Sequence, residues 1–421
     1  MIKVDELTRA IANRWDDIAA ALGADRTRVE YELIGLLRQL EVEPGPAREA
    51  VVQAILALFQ PHARAYQLLL QAVRDTDPAR AKGAGKPAGF VARERYTTFP
   101  VFYGTDRAGG GAAGAGVGFS GERGELSYGV AEVSIPDDPR MGKIDRPRWW
   151  KLQFHEDPAQ HVVLQSLQTL SEIDFVNRAR STLDGTPKKE VLVFVHGYRV
   201  GFQDAVVRAA QMAYDLHFEG LAALYSWPSE GSVPRYTVDE TNVAWSRPRF
   251  AKFLAVIRER LGADTVHVVA HSMGNRLLVE TLASMAQPAA AGVAGLNQIV
   301  FAAPDVDAAT FKDLAQDFRP KAKRFTLYAS SDDLALKASK VVHKYSRAGE
   351  SGLDLVVTES VDTVDVTAVD TSLLGHAYYG ENRSVLSDLF YVIRNGTPPD
   401  DRFGLVAKDR YGARYWSFRP S

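Results

Sequence analysis

The chain contains no cysteine. That absence excludes disulfides, thiolate metal ligands and a cysteine nucleophile, and it fits a cytoplasmic location, which is the expected compartment. Long apolar runs are missing too. No stretch approaches the roughly 18 consecutive apolar residues that a membrane-spanning helix requires, so no integral membrane segment is expected. The opening MIKVDELTRAIANRW carries acidic residues and no apolar core, unlike a secretory leader. Strong charge of one sign is also absent: Lys plus Arg number 50 against 52 for Asp plus Glu, a formal net charge of -2. This gives no electrostatic footprint for nucleic acid or an anionic membrane. What is present is ordinary for a folded core, with 46% hydrophobic and 24% charged residues over a length of 421. At roughly 150 residues per domain, that length leans towards two or three domains.

The first 75 residues read as an all-helical domain. Leu7, Ile11, Trp15, Ile18 and Leu22 recur at helical spacing, as do Val29, Leu33, Leu36 and Leu40. EPGP at 43–46 interrupts them, and a third apolar stretch runs from Val51 to Val73 with Pro61 as a kink or boundary. Residues 76–95 are rich in Gly, Pro and Ala at their start and read as a linker. The catalytic domain is expected over 96–421. It begins with strand-like VFYGTDR (101–107), the glycine-rich loop AGGGAAGAGVG (108–118) and ELSYGVAEVSI (125–135). From residue 190 buried strands alternate with helices. VLVFVHGY, LAALYSWP, TVHVVAHS, QIVFAAPDV, RFTLYAS and finally VDTVDVT read as strands, with helices expected at about 246–261, 274–286 and 382–395. Continuous apolar strands separated by helices indicate a mostly parallel central sheet with helices on both faces.

The most informative segment is VHVVAHSMGNRLLVETLA (266–283). A buried strand runs straight into a helix, and Ser272 sits at the turn between small residues Ala270 and Gly274. This is the nucleophile-elbow pattern, with Ala in place of its first Gly. Small residues are required because strand and helix approach closely at a strained turn that lifts the serine hydroxyl clear of the sheet. The backbone N–H of Met273, at the helix start, points where an oxyanion would form. A second donor is expected from the loop after VLVFVHGY, where Gly197 keeps the approach open and the N–H of Tyr198 binds the oxyanion. His196 precedes the nucleophile in chain order and is rejected as the base on that ground.

The acid should follow a strand after the nucleophile. ASSDDLAL offers Asp333, the choice here, and Asp332, from which one residue of loop geometry separates it. PDVD offers Asp305 and Asp307, with Asp305 read as structural but kept as an alternative acid. The base is read as His376, in the Gly-flanked loop DTSLLGHAYYG. His343 reads as a solvated surface residue, and His271 projects the other way from the turn. Such a Ser272, His376 and Asp333 set needs neither metal nor cofactor.

VFYGTDR, FSGERGELSYGVAEVSIP, VLVFVHGY, YSWPSEGSVPRY, AHSMGNRLL, AAPDVD, YASSDDLAL and GHAYYG together resemble a bacterial group of α/β hydrolases known as domain-of-unknown-function family 900. The resemblance covers roughly 96–400. It implies the α/β-hydrolase fold and a serine-hydrolase triad, and the group's Y-x-S-x-x-D-x-A-L pattern implies that the acid is Asp333. The SWPS motif recurs in the group, and Trp227 there reads either as a wall of the acyl pocket or as a core residue. The helical segment lies outside this resemblance; its RWDDIAAALG resembles death-fold or effector-associated adaptor modules. Three functions follow. The first is an esterase or lipase-like enzyme acting on an ester or lipid, with a lid in residues 230–245. The second is a hydrolase effector recruited or self-associated through residues 1–75, acting on a lipid or an amide. The third is a non-catalytic binding protein, against which the complete residue set argues.

Overall fold

The computed structural model describes residues 96–109, 118–136, 162–229, 236–285, 293–331, 345–369 and 384–419, together with single positions scattered between Leu22 and Leu69. Met1–Arg95 with Asp145–His161 form one compact unit, and Tyr96–Ile144 with Val162–Ser421 form another. In the first unit Leu22, Val29, Leu33, Ile55, Phe59 and Leu69 are helical and buried. The rest of the expected bundle, and the linker at 76–95, fall outside the described residues.

The second unit is built on one sheet. Its described elements are β1 (Tyr96–Gly109), β2 (Phe119–Pro136), β3 (Val163–Leu170), α1 (Glu172–Asp184), β4 (Glu190–Val195), α2 (Phe202–Asp215), β5 (Leu221–Ser226), α3 (Tyr236–Arg260), β6 (Thr265–His271), α4 (Gly274–Ser284), β7 (Gly295–Ala302), α5 (Ala308–Ala315), β8 (Ala322–Ala329), β9 (Asp362–Asp365), α6 (Ser384–Phe390), β10 (Leu405–Arg410) and β11 (Ala413–Phe418). The eleven strands lie in the order β10-β11-β9-β8-β7-β6-β4-β5-β1-β2-β3. From β1 across to β11 every neighbouring pair is parallel. Antiparallel pairs close the two margins, β1 with β2 and β2 with β3 at one, β10 with β11 at the other.

The central strands are apolar on both sides because both faces of the sheet are covered. In β4, Val191, Val193 and Val195 pack into one core cluster, while Leu192 and Phe194 pack into the other. β6 divides the same way, with Val266, Val268 and Ala270 on the first face and Val269 on the second. The first face is covered by α1, α3, α4 and α5, whose Phe175, Phe253, Leu277 and Phe311 join its cluster. The second is covered by α2 and α6 through Val206, Ala209, Ala213, Leu386 and Leu389. Each of the Val, Leu and Phe side chains, fully withdrawn from water, contributes on the order of 1.5–3 kcal/mol. Capping side chains fix two helix starts: Ser171 accepts from Asp174 N–H at the head of α1, and Asp307 accepts from Thr310 N–H at the head of α5.

Three expectations are corrected. VDTVDVT is not the last strand, because the β10–β11 hairpin follows α6 and β11 pairs parallel with β9. The helix expected from about 246 begins at Tyr236 and passes through Pro248 without ending. Residues 236–245 of the expected lid are therefore the first turns of α3, and 230–235 lie outside the described residues. The strand β3 and helix α1 had no counterpart in the sequence reading.

Candidate active site

Strands β4 and β6 are neighbours in the middle of the sheet, and their register pairs Val195 with Ala270. Continuing two residues past that pair brings Gly197 beside Ser272 at the carboxyl ends of the strands. Open parallel sheets place their ligand crevices at these ends.

Ser272 turns the chain from β6 into α4 at a φ of 48°, in the left-handed region. A non-glycine residue there costs roughly 1–3 kcal/mol and persists only where the surroundings impose it. They do so here. The N–H of Ser272 donates to Ala302 O at 2.9 Å. Its carbonyl accepts from Asn275 N–H at 3.1 Å, from Asp305 N–H at 3.1 Å and from Asn275 Nδ2 at 3.0 Å. Asn275 Nδ2 also reaches Ala302 O at 3.2 Å, so one amide ties the elbow to the end of β7.

The glycines around the elbow are sterically compelled. A Cβ at Gly274 would lie 2.3 Å from His196 O, and one at Gly197 would lie 2.6 Å from His271 Nδ1 and 2.9 Å from Ser272 Cβ. Ala270, standing where the strict motif has glycine, is fully buried in the core. Met273 is helical and caps α4, so its N–H is among the donors that a helix start leaves without an internal acceptor. Tyr198 follows Gly197 in the loop and packs edge-on against Tyr236 at 5.3 Å between ring centres. The His271 ring lies beneath Gly197 and lines a small cavity with Phe194, Met212, Tyr328 and Leu389 on the second face of the sheet.

His196 is buried beneath the loop, and its contacts define its tautomer. Its Nδ1 lies 2.8 Å from Gly197 O and so carries the proton that this carbonyl accepts. Its Nε2 then accepts, from Ser226 Oγ at 3.1 Å and from an Arg107 terminal nitrogen at 3.3 Å. Burial, and secondarily the Arg107 charge, push its pKa down to about 3. A ring that is neutral, buried and engaged at both nitrogens is not placed to take a proton from Ser272. Trp227 has no exposed surface; its ring stacks on His196 at 5.1 Å and its Nε1 donates to His196 O at 2.8 Å.

Asp305 is buried behind the elbow in an ionic network. Tyr236 OH donates to its Oδ2 at 2.5 Å, Arg276 approaches the same oxygen at 3.5 Å, and Arg347 Nε stands 3.3 Å from Oδ1. Arg276 also pairs with Glu240 at 2.6 Å and donates to Asp305 O at 2.8 Å. Asp333, Asp332 and His376 lie outside the described residues. The structure thus brings together Ser272, Met273, Gly197, Tyr198 and Trp227, with Asp305 behind them.

Several residues of this region carried no role in the sequence reading. Arg107, Ser226, Ser229 and Asp239 form a buried polar cluster against the loop after β4. The motifs YGTDR and SWPS contain three of them; a charged residue ending an apolar strand was the available signal. Ala303 adopts a φ of 43° beside the elbow, and an alanine in that conformation leaves no trace in a sequence.

Part of the chain is similar to another protein, the uncharacterized protein alr1448 of Nostoc sp., at 27% identity over 126 residues. The match takes in 24% of this chain and 33% of that one, so the chain spans about a third of that relative's length. The region holding the elbow and the loop facing it, residues 172–394 from α1 to the turn after α6, matches the family described as alpha/beta hydrolase of unknown function (DUF900). That is more than half of the chain, and its parallel sheet is the one such hydrolases require: the chain belongs to this α/β-hydrolase family.

Proposed function

We propose that the protein is a serine hydrolase that cleaves carboxylic esters through an acyl-enzyme on Ser272. The observation that carries this reading is the left-handed Ser272 at the β6–α4 turn, packed directly against Gly197. A nucleophile that must clear the strand ends calls for such a strained turn. His376 removes the hydroxyl proton as Oγ attacks the ester carbonyl, and Asp333 holds the imidazole and stabilises its cation. The N–H groups of Met273 and Tyr198 bind the tetrahedral oxyanion, each contributing roughly 3–4 kcal/mol in sites of this kind. Collapse expels the alcohol, which takes the proton from His376, and water then releases the acid by the reverse sequence. We assign this chemistry to residues 96–421 and a recruiting or self-associating role to residues 1–75.

The test is hydrolysis of p-nitrophenyl esters from acetate to palmitate by the intact chain, Ser272→Ala and His376→Ala. Turnover should fall by on the order of 10³-fold or more in both variants, and the chain-length preference will separate a short-chain esterase from a lipase. Undiminished turnover in folded Ser272→Ala would remove the proposed nucleophile.

A further inference from the structure

Arg107 ends the apolar run of β1 and is itself 2% exposed. A buried guanidinium is expensive unless its donors are satisfied, and here they are divided among the loop facing Ser272, the end of β5, Ser229 and Ser120. Nε donates to Ser226 Oγ at 2.9 Å. One terminal nitrogen donates to Ser229 O at 3.0 Å and Ser120 O at 3.2 Å. The other donates to Val200 O at 2.6 Å and stands 3.3 Å from His196 Nε2. One planar group therefore grips both ends of the loop His196–Val200 and the end of β5.

The loop needs such a grip. Arg199 holds a φ of 59°, a conformation that costs a non-glycine residue roughly 1–3 kcal/mol. Its far end is fixed at both backbone groups: Val200 O by Arg107, and Val200 N–H by Ser229 Oγ at 3.3 Å. Ser229 is oriented in turn by its 2.5 Å bond to Asp239 of α3. At the near end, Ser226 Oγ accepts a hydrogen bond from Arg107 Nε and donates one to His196 Nε2. That leaves Nδ1–H of His196 to bind Gly197 O at 2.8 Å. The peptide joining Gly197 to Tyr198 is planar and trans. With its carbonyl tied back to His196, its N–H points the opposite way within the peptide plane.

We propose that Arg107 is a positioning residue for oxyanion binding: through Ser226, His196 and Val200 it fixes the 197–198 peptide so that Tyr198 N–H is presented to the oxyanion formed at Ser272. This deepens the serine-hydrolase reading and rests on it. Arg107 touches no reacting atom. Its removal lowers the rate of attack at the tetrahedral centre without weakening recognition of the rest of the substrate.

The experiment measures time courses of labelling by an alkyl fluorophosphonate, with the full chain, Arg107→Met, Arg107→Lys and Ser272→Ala. In this reaction the Ser272 Oγ–P bond forms, the P–F bond breaks, fluoride leaves, and the hydroxyl proton passes to the base. Varying probe concentration separates the maximal labelling rate, kinact, from the probe's binding constant, KI. Losing one aligned oxyanion donor typically costs ~10²-fold or more in rate. Accordingly kinact should fall roughly 30–100-fold in Arg107→Met and about 10-fold in Arg107→Lys, whose single ammonium cannot span the same partners. KI should stay within about twofold in both. Thermal melting reports folding, and should Arg107→Met not fold, Arg107→Lys alone decides. A kinact within threefold of the unsubstituted chain in the folded variants, or a loss confined to KI, overturns the proposal alone. No labelling of Ser272 in the unsubstituted chain overturns the hydrolase reading and the proposal with it.

Discussion

Ser272, Ala303 and Arg199 all lie in the left-handed region, within three strand ends of one another. Each costs on the order of 1–3 kcal/mol, and among the described residues the two other non-glycine positions in that region, His217 and Tyr411, lie in turns away from them; the gathering of three at neighbouring strand ends is the pattern of a built site. Gly274 is the steric keystone of the group, since its substitution by alanine would set a methyl 2.3 Å from the fixed backbone oxygen of His196. Gly274→Ala is expected to lower fluorophosphonate labelling by ~10²-fold, comparable with losing an oxyanion donor, and to cost about 1–3 kcal/mol in urea unfolding. Asp106 makes a second residue-level test. It is buried beside α3 with neither oxygen in a well-formed hydrogen bond. Burial raises its pKa to about 6 from the ordinary 3.8, with the Ser246 and Tyr225 hydroxyls and the Arg249 charge offsetting part of the effect. Between about pH 3.8 and 6 the folded chain therefore keeps a proton that the unfolded chain has released. The stability linked to that proton is present below pH 3.8 and lost as pH rises through about 6. Asp106→Asn should be the more stable protein at pH 8, by up to about 3 kcal/mol, with a smaller gain at pH 5; denaturant melts at the two pH values measure it. At this scale the sequence displayed the elbow through its small residues. It hid Arg107, because that role depends on partners some 90 to 120 positions away along the chain.

Helix α3 is the element that locks this edge. Its first turn reaches two ways: Tyr236 bonds Asp305 behind the elbow, and Asp239 bonds Ser229 beneath the loop after β4. A polar stretch expected to be a lid is thus fastened to the sheet through buried side chains. Tyr236→Phe removes the hydroxyl that donates to Asp305 and accepts from Arg276 at 3.1 Å. The loss should be about 1–3 kcal/mol of stability, read as a lowered urea midpoint with an unchanged denaturant slope. The elements that could be read from the sequence were those with a strong pattern. β4 to β8 are buried on both faces, so their apolar runs stand out between polar turns. β3 buries only Val163 and alternates poorly, and β10 is a polar margin strand of which only Leu405 is buried; neither offers a periodic signal. α3 starts at Tyr236 rather than near residue 246, and although proline is favoured in a helix's first turn, here the helix continues through Pro248.

At the scale of the whole molecule, the sheet and its two helical faces followed from the run of strands after residue 190, and the family match over 172–394 covers that part. The earlier region was harder, because its strands β1 and β2 pair antiparallel as a long hairpin while β1 also joins the parallel array next to β5. That join needs a contact across more than a hundred residues, which no local pattern announces. Residues 145–161 group with the first unit rather than with the strands that flank them, so the two units are interleaved in sequence. The proposed chemistry draws only on residues of the second unit. A chain lacking residues 1–75 should label at Ser272 within about threefold of the full rate, with any change in self-association read separately by light scattering. The most direct measurement of the central claim is peptide mapping by mass spectrometry after fluorophosphonate treatment of the intact protein. The expected result is one adduct, on the peptide containing Ser272, absent in Ser272→Ala and formed on the order of 10³-fold more slowly in His376→Ala. An adduct on another residue that persists in Ser272→Ala, or an intact protein that stays unlabelled, would contradict it.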